Sequence, residues 1–247
     1  MRNEEGRRNT GVILAQVTNI KDPDNLNRIK CKPVTTDKDV AETDWCYCVS
    51  PMAGKQYGQF FFPSVGDLVL LGYLGGDVHH PILFGSYWAN DVKPPYTVRD
   101  GKNEVRSIKT PAGIEIKLED TDKKEKLTLT TPSGAAILVD DENKTIAVKD
   151  AKAENALTIA WGKGEITLAA KTKLTLSAGD TSLVLEASGN MDGKAAKAIS
   201  LAGADVALKG NNSVKAEGTT VGIKANGMLE AKASGNVTIK GAVVQLN

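Results

Sequence analysis

The sequence predicts an all-β chain: a small N-terminal barrel followed by an intertwined, trimeric β-solenoid that forms a β-prism. Three observations carry this. Short runs of β-forming residues alternate with Gly, Pro, Asn and Asp turn clusters, with no amphipathic helical pattern between them. Eleven of the twelve aromatic residues precede position 100, leaving Trp161 alone beyond it. Beyond residue 156, apolar-x-apolar triplets recur about every eight residues, a spacing that neither a 3.6-residue helix nor a heptad sustains.

The composition is that of an ordinary water-soluble chain: 247 residues, 41% hydrophobic, 25% charged, with 31 basic against 30 acidic side chains. Charge so close to balance removes the bulk argument for a nucleic-acid or polybasic membrane surface. No apolar run approaches the roughly 20 residues of a membrane helix. The opening Met1–Gln16 stretch lacks the apolar core of a secretory signal. Three cysteines cannot all pair within one chain, so they do not form a disulfide framework.

The barrel's strands follow in order. Val12–Val17 is strand-like and stops at Asp22-Pro-Asp-Asn25, a cluster of turn formers. Arg28–Lys32 alternates apolar and basic residues, and Trp45–Val49 is rich in β-formers and closed by Ser50-Pro51. Phe60-Phe-Phe-Pro63 leads through the Val65-Gly-Asp67 turn into Leu68–Leu74. A second turn, Gly75-Gly-Asp77, precedes Pro81–Gly85. Five short strands in some 80 residues describe a small barrel. Residues 1–9 form an arm, 10–90 the barrel, 91–103 a linker marked by Pro94-Pro95, and 104–247 the spike.

The spike opens with a longer repeat. Thr110-Pro-Ala-Gly-Ile-Glu-Ile-Lys-Leu matches Thr131-Pro-Ser-Gly-Ala-Ala-Ile-Leu-Val at an offset of 21 residues. Triplets at the shorter period then begin at Leu157, Ile166, Leu174, Leu183, Ile199, Val206, Val214, Val221, Leu229, Val237 and Val244. Each triplet is a strand with two side chains on one face, and the Gly, Asn, Ser and Lys between them turn the chain. One such unit is too short to close a coil alone, and a single chain would carry long unpaired edges. Three chains around one axis remove the edges and bury the apolar rows. The expected trimer core includes Leu174, Leu176, Val206, Leu208, Val221, Ile223, Val237 and Ile239.

These residues resemble the central spike of contractile injection systems: phage baseplate protein V, the tail-lysozyme spike of phage T4, and the type VI secretion spike VgrG. The stretch Val65-Gly-Asp-Leu-Val-Leu-Leu-Gly-Tyr-Leu-Gly-Gly-Asp77, then Pro81-Ile-Leu-Phe-Gly85, is similar to the family's OB-fold domain, with Trp45 and Ala53-Gly54 also in place. The eight-residue tail resembles the family's triple-stranded β-helix. The resemblance implies a structural, non-catalytic homotrimer at the centre of a baseplate that pierces a target envelope. It implies a baseplate in a virion or extracellular injection particle, assembled in the producing bacterial cytoplasm. The 90–104 stretch leaves no room for a lysozyme domain. The hub is expected as a separate chain, since only about ten residues precede the barrel. A PAAR-like tip protein is expected to sit on the last strand, at Val243, Val244, Gln245, Leu246 and Asn247. The target membrane is met transiently.

Other motifs read blandly. His79-His80 point to opposite faces if extended and suit a surface loop better than a metal site. Cys46-x-Cys48 puts two thiols on one strand face, read as buried or half-buried cysteines. Asp140-Asp141-Glu142 reads as a solvated turn, and the recurring lysines (Lys209, Lys215, Lys224, Lys232, Lys240) as solubilising. No catalytic residue, cofactor or metal is expected, and no nucleic-acid partner. The alternative is an OB-fold oligonucleotide- or glycan-binding protein with a β-helical stalk. Against it, Trp45, Tyr47 and Phe60–Phe62 lie in patterns that point to the core, leaving no aromatic stacking platform.

Overall fold

The computed structural model describes residues 11–36 and 39–245; the expected arm at 1–9 lies outside them. Two compact units divide the chain, one ending at Lys171 and one beginning at Thr172. All five barrel strands expected from sequence are present. β1 (Ile13–Asn19) pairs antiparallel with β2 (Lys30–Pro33), matching Val17 to Cys31. β3 (Tyr47–Cys48) is short, and β4 (Ala53–Gly54) with β5 (Tyr57–Gly58) makes a small hairpin. β6 (Leu68–Tyr73) lies between β1 and β7 (Pro81–Ser86), and β7 runs parallel to β3.

The ring then closes. Ile29 and Cys46 exchange both backbone hydrogen bonds, at 3.1 and 2.7 Å, joining the start of β2 to the residues entering β3. The circuit β1-β2-β3-β7-β6 returning to β1 is a five-stranded barrel of OB type. Alternation explains its core: Ala15, Val17, Ile29, Cys31, Cys46, Val69, Leu71 and Leu83 point inward and are buried, whereas Gln16 and Lys32 point out. Most of these side chains are small, so the interior is narrow. Leu71 is the largest hydrocarbon β6 places there and has 0% exposure. Leu71→Ala is expected to cost about 2–5 kcal/mol, read as a lowered unfolding midpoint of the barrel.

The narrow core also corrects an expectation. Phe60 and Phe61 are about 72% and 71% exposed, Tyr47 is exposed, and Trp45 is half-buried; of these aromatics only Phe62 packs against the core. The Phe60–Phe62 run lies outside any strand, so no two-residue alternation directs it inward, and the barrel has no volume for it.

The loop after β1 is organised by one carboxylate. Asp22 accepts the backbone N–H groups of Asp24, Leu26 and Arg28 and a two-point contact from the Arg28 guanidinium, at 2.7–3.1 Å. The Arg28 hydrogen bonds, seconded by the three amides, hold the Asp22 carboxyl far below the usual carboxylate range. A carboxyl depressed in the folded state contributes stability above its unfolded pKa, near 3.9, and loses it as pH falls toward the folded value. The barrel's melting temperature should therefore fall as pH drops from about 4 toward 2. Asp22→Asn should melt lower at neutral pH and show a flatter acid limb in the same scan.

Beyond the barrel, the stretch that the sequence marks as linker carries two isolated backbone pairings, Ala89 with Val92 and Arg99 with Lys102. Seven strands follow as an antiparallel meander: β8 (Val105–Lys109), β9 (Glu115–Glu119), β10 (Lys126–Thr130), β11 (Ala136–Asp140), β12 (Thr145–Lys149), β13 (Ala156–Ala160) and β14 (Glu165–Ala169). The 21-residue repeat is a repeated turn. In both copies the glycine, Gly113 or Gly134, has positive φ and donates its N–H to the threonine carbonyl three residues earlier, at 2.9 Å. Each of these seven strands finds its neighbour within the same chain.

The second unit begins with β15 (Lys173–Ala178), β16 (Thr181–Glu186) and β17 (Met191–Lys194), again antiparallel. From 195 to 245 there is no strand, although the apolar triplets continue.

Candidate functional site

The reactive side chains are spoken for locally. His79 Nδ1 lies 2.8 Å from Asp44 Oδ2, and His80 Nδ1 2.8 Å from Asp77 Oδ2. The hydrogen bond to Asp44 raises the His79 pKa above its ordinary value. Both histidines are exposed on the β6–β7 loop and serve different acids, so they do not converge. Asp140 accepts the Asn143 backbone and side-chain N–H groups, each at 2.9 Å, and pairs with Lys126 at 3.1 Å. Those contacts, the Asn143 backbone first, lower its pKa to about 2 and use its oxygens within the turn. Among the described residues no three His, Cys, Asp or Glu side chains are grouped to hold a metal ion. Cys46 is fully buried and Cys48 half-buried.

What the chain offers instead is surface. On the barrel, Leu26, Tyr47, Val49, Met52, Tyr57, Phe60 and Phe61 line a groove of about 610 Å³. Phe60 and Phe62 stack with centroids 5.7 Å apart, and the β4–β5 hairpin forms one wall. At Gly54 in that hairpin a Cβ would fall 2.2 Å from the exposed Tyr57 ring, which would have to swing aside. Nearby, the Arg28 guanidinium carbon lies 5.8 Å from the ring centroids of both Trp45 and Tyr47, and Lys30 lies 5.5 Å from Trp45. The sequence reading missed this cluster. Its signal was the alternation Arg28-x-Lys30 facing Trp45-x-Tyr47 across paired strands.

The larger surface is the meander. Its register stacks two apolar ladders on one face: Ile108, Ile116, Leu129, Ile137, Val148, Leu157 and Leu168 in one, with Leu118, Leu127, Val139, Ile146, Ile159 and Ile166 in the other. The opposite face carries Thr128, Ala147 and the ion pairs Lys109–Glu115, Lys117–Glu119 and Lys126–Asp140. In one copy the apolar face is uncovered, with exposure from 37% at Ile146 to 73% at Ile166 among its most open members. A contiguous apolar surface of this kind marks an association site.

The expected trimer-core residues fall into two groups. Leu174 and Leu176 sit on β15 opposite Leu185 and Leu183, Leu174 half-buried and Leu176 exposed. Val206, Leu208, Val221, Ile223, Val237 and Ile239 are all exposed on a stretch with no strand pairing among the described residues. Val243, Val244 and Gln245 are likewise exposed; Leu246 and Asn247 lie outside the described residues.

A closed OB barrel followed by self-pairing β-sheet with one uncovered apolar face defines an all-β protein that presents an association surface. Comparison with known proteins narrows that class. Residues 13–88 match the type VI secretion system/phage-baseplate injector OB domain. The type VI secretion system spike protein VgrG2a of Pseudomonas aeruginosa is 29% identical over 104 residues, 40% of this chain and 12% of that protein. VgrG5 of the same organism is 33% identical over 90 residues, 34% of this chain and 11% of the relative. A Vibrio cholerae protein named actin cross-linking toxin VgrG1 is 29% identical over 125 residues, 49% of this chain and 11% of its own length. The barrel matches an injector OB domain, and the chain is similar to VgrG spike proteins over part of its length. It spans only about a tenth of the length of these relatives.

Proposed function

We propose that three copies of this chain form the central spike of a contractile tail or injection machine, a structural and non-catalytic part that pierces a target envelope. The observation that carries the reading is the uncovered apolar face of β8–β14, followed by unpaired apolar triplets. Three such faces turned toward a common axis form a prism with a dry interior and the ion-paired faces outward, as the hydrophobic effect requires. Beyond 194, the apolar triplets, which have no strand partner among the described residues, pair with the other two copies, which removes the open edges. Thus the meander makes its hydrogen bonds within each copy and the tail makes them between copies.

The same reading gives the partners. The OB barrels attach to a baseplate hub, the rod meets the target membrane only in transit, and a PAAR-like tip protein covers the exposed stretch from Val243 onward. The particle is a virion or an extracellular injection device, assembled in the producing cell's cytoplasm. No helix of the described residues is long and apolar enough to cross a membrane. Hydrogen exchange tests the winding: backbone amides of residues 195–245 should be protected in the purified protein, whereas rapid exchange throughout would contradict it. For the tip, deletion of residues 241–247 should leave a folded trimer that no longer captures a PAAR-repeat protein.

One observation favours a second reading, an OB-type oligonucleotide or glycan site: aromatic Trp45 and Tyr47 flanked by Arg28 and Lys30. The Arg28 guanidinium, however, is already neutralised by Asp22 and Asp24. Single-stranded DNA should bind weakly and be lost at ~0.2 M salt; tight binding that survives it would favour the second reading.

A further inference from the structure

One arginine stands where the meander's apolar face begins. In the register of β8 with β9, Arg106 lies opposite Leu118. It therefore occupies the first rung of the ladder that runs on through Leu127, Val139, Ile146, Ile159 and Ile166. Register partners share a sheet face, so Arg106 projects from the apolar one. Asp120 follows Leu118 by two residues, and its N–H donates to the Glu104 carbonyl at 2.8 Å, carrying the pairing just past the strand ends. Alternation puts its carboxylate on the same face, where it forms an ion pair with the Arg106 guanidinium. The guanidinium also reaches the Asn103 carbonyl at 3.4 Å. In a single copy the two side chains are 55% and 51% exposed, within reach of a neighbour. Glu104, Glu125 and Asp141 lie along the same margin, but outside the strands.

We propose that the Arg106–Asp120 pair fixes the axial register of each copy against the other two. The inference rests on the trimeric reading, in which this face turns toward a common axis. Each ladder offers one apolar side chain per strand, at the strand spacing of about 4.8 Å. A copy displaced by one strand sets leucine or isoleucine against leucine or valine and loses little by it. The charged pairs break that degeneracy. In register, three pairs meet at one level and surround one another with opposite charge. After a slip, a pair enters a level of leucine side chains, where its spare donors find no acceptor and its charges leave water. A single buried polar position fixes register by the same physics in coiled coils.

The test uses the full chain with isotope-labelled isoleucine methyl groups. In the parent trimer each ladder isoleucine should give one methyl resonance, because the three copies are equivalent. Arg106→Leu with Asp120→Leu continues the ladder in hydrocarbon. Its expected result is an unchanged trimer mass with those resonances split into several. Arg106→Lys, which keeps the charge, should keep one resonance each. Arg106→Leu alone leaves three carboxylates unpaired and should lower the melting temperature of the trimer. Unsplit resonances in the double leucine variant, loss of its trimer, or a melting temperature unmoved by Arg106→Leu would each overturn the register role while leaving the trimer standing. A parent that sediments as a single copy would overturn the trimeric reading and this inference with it.

Discussion

Aspartate at both Val139 and Val148 leaves this protein unable to assemble. The two positions lie on adjacent strands in the centre of the meander's apolar face, one in each ladder. In one copy that face is open, so a carboxylate there is hydrated and the hairpins still form. In the trimer every copy would carry two carboxylates into a dry interior with no cation to meet them. An unpaired buried charge costs several kcal/mol even after relaxation, and here the cost is multiplied by the symmetry. The expected outcome is loss of the trimer by sedimentation, with the barrel still folded by its own melting transition. An unchanged trimer would show that the face points outward.

Val206→Asp with Leu208→Asp should have the second largest effect, confined to the tail. Both side chains are exposed in a single chain and belong to a triplet that has no intrachain partner. If the tail is wound between copies, the double variant unravels it. Limited proteolysis should then remove the region after 195 while the barrel and meander persist. Lys209→Ala, one residue along at an exposed position, should stay within about 0.5 kcal/mol of the parent.

Much of the barrel was legible because its strands obey simple alternation. Ala15 and Val17, then Val69 and Leu71, are two residues apart and all buried. Turn chemistry placed the ends, as at Asp22 and at Gly75-Gly76. Phe60–Phe62 misled because an apolar run reads as core when its backbone is not known to be a strand, and a five-stranded barrel of small side chains has no place for it. The offset of 21 residues was visible, but not its meaning. A repeat that pairs within a chain and one that pairs between chains show the same apolar spacing, and only the register of β9 with β10 and β11 with β12 separates them.

Exposure of the tail has the same physical basis. Leu208 at 75% and Ile223 at 74% exposure have no strand partner among the described residues. If the tail is wound between copies, its stability is inseparable from association.

The most direct measurement is therefore the mass of the protein in solution by light scattering coupled to size exclusion, at concentrations down to the lowest detectable. Association of three copies predicts a value close to three times the chain mass of 26.2 kDa, unchanged on dilution and in mild denaturant. A value near 26.2 kDa would contradict the spike outright.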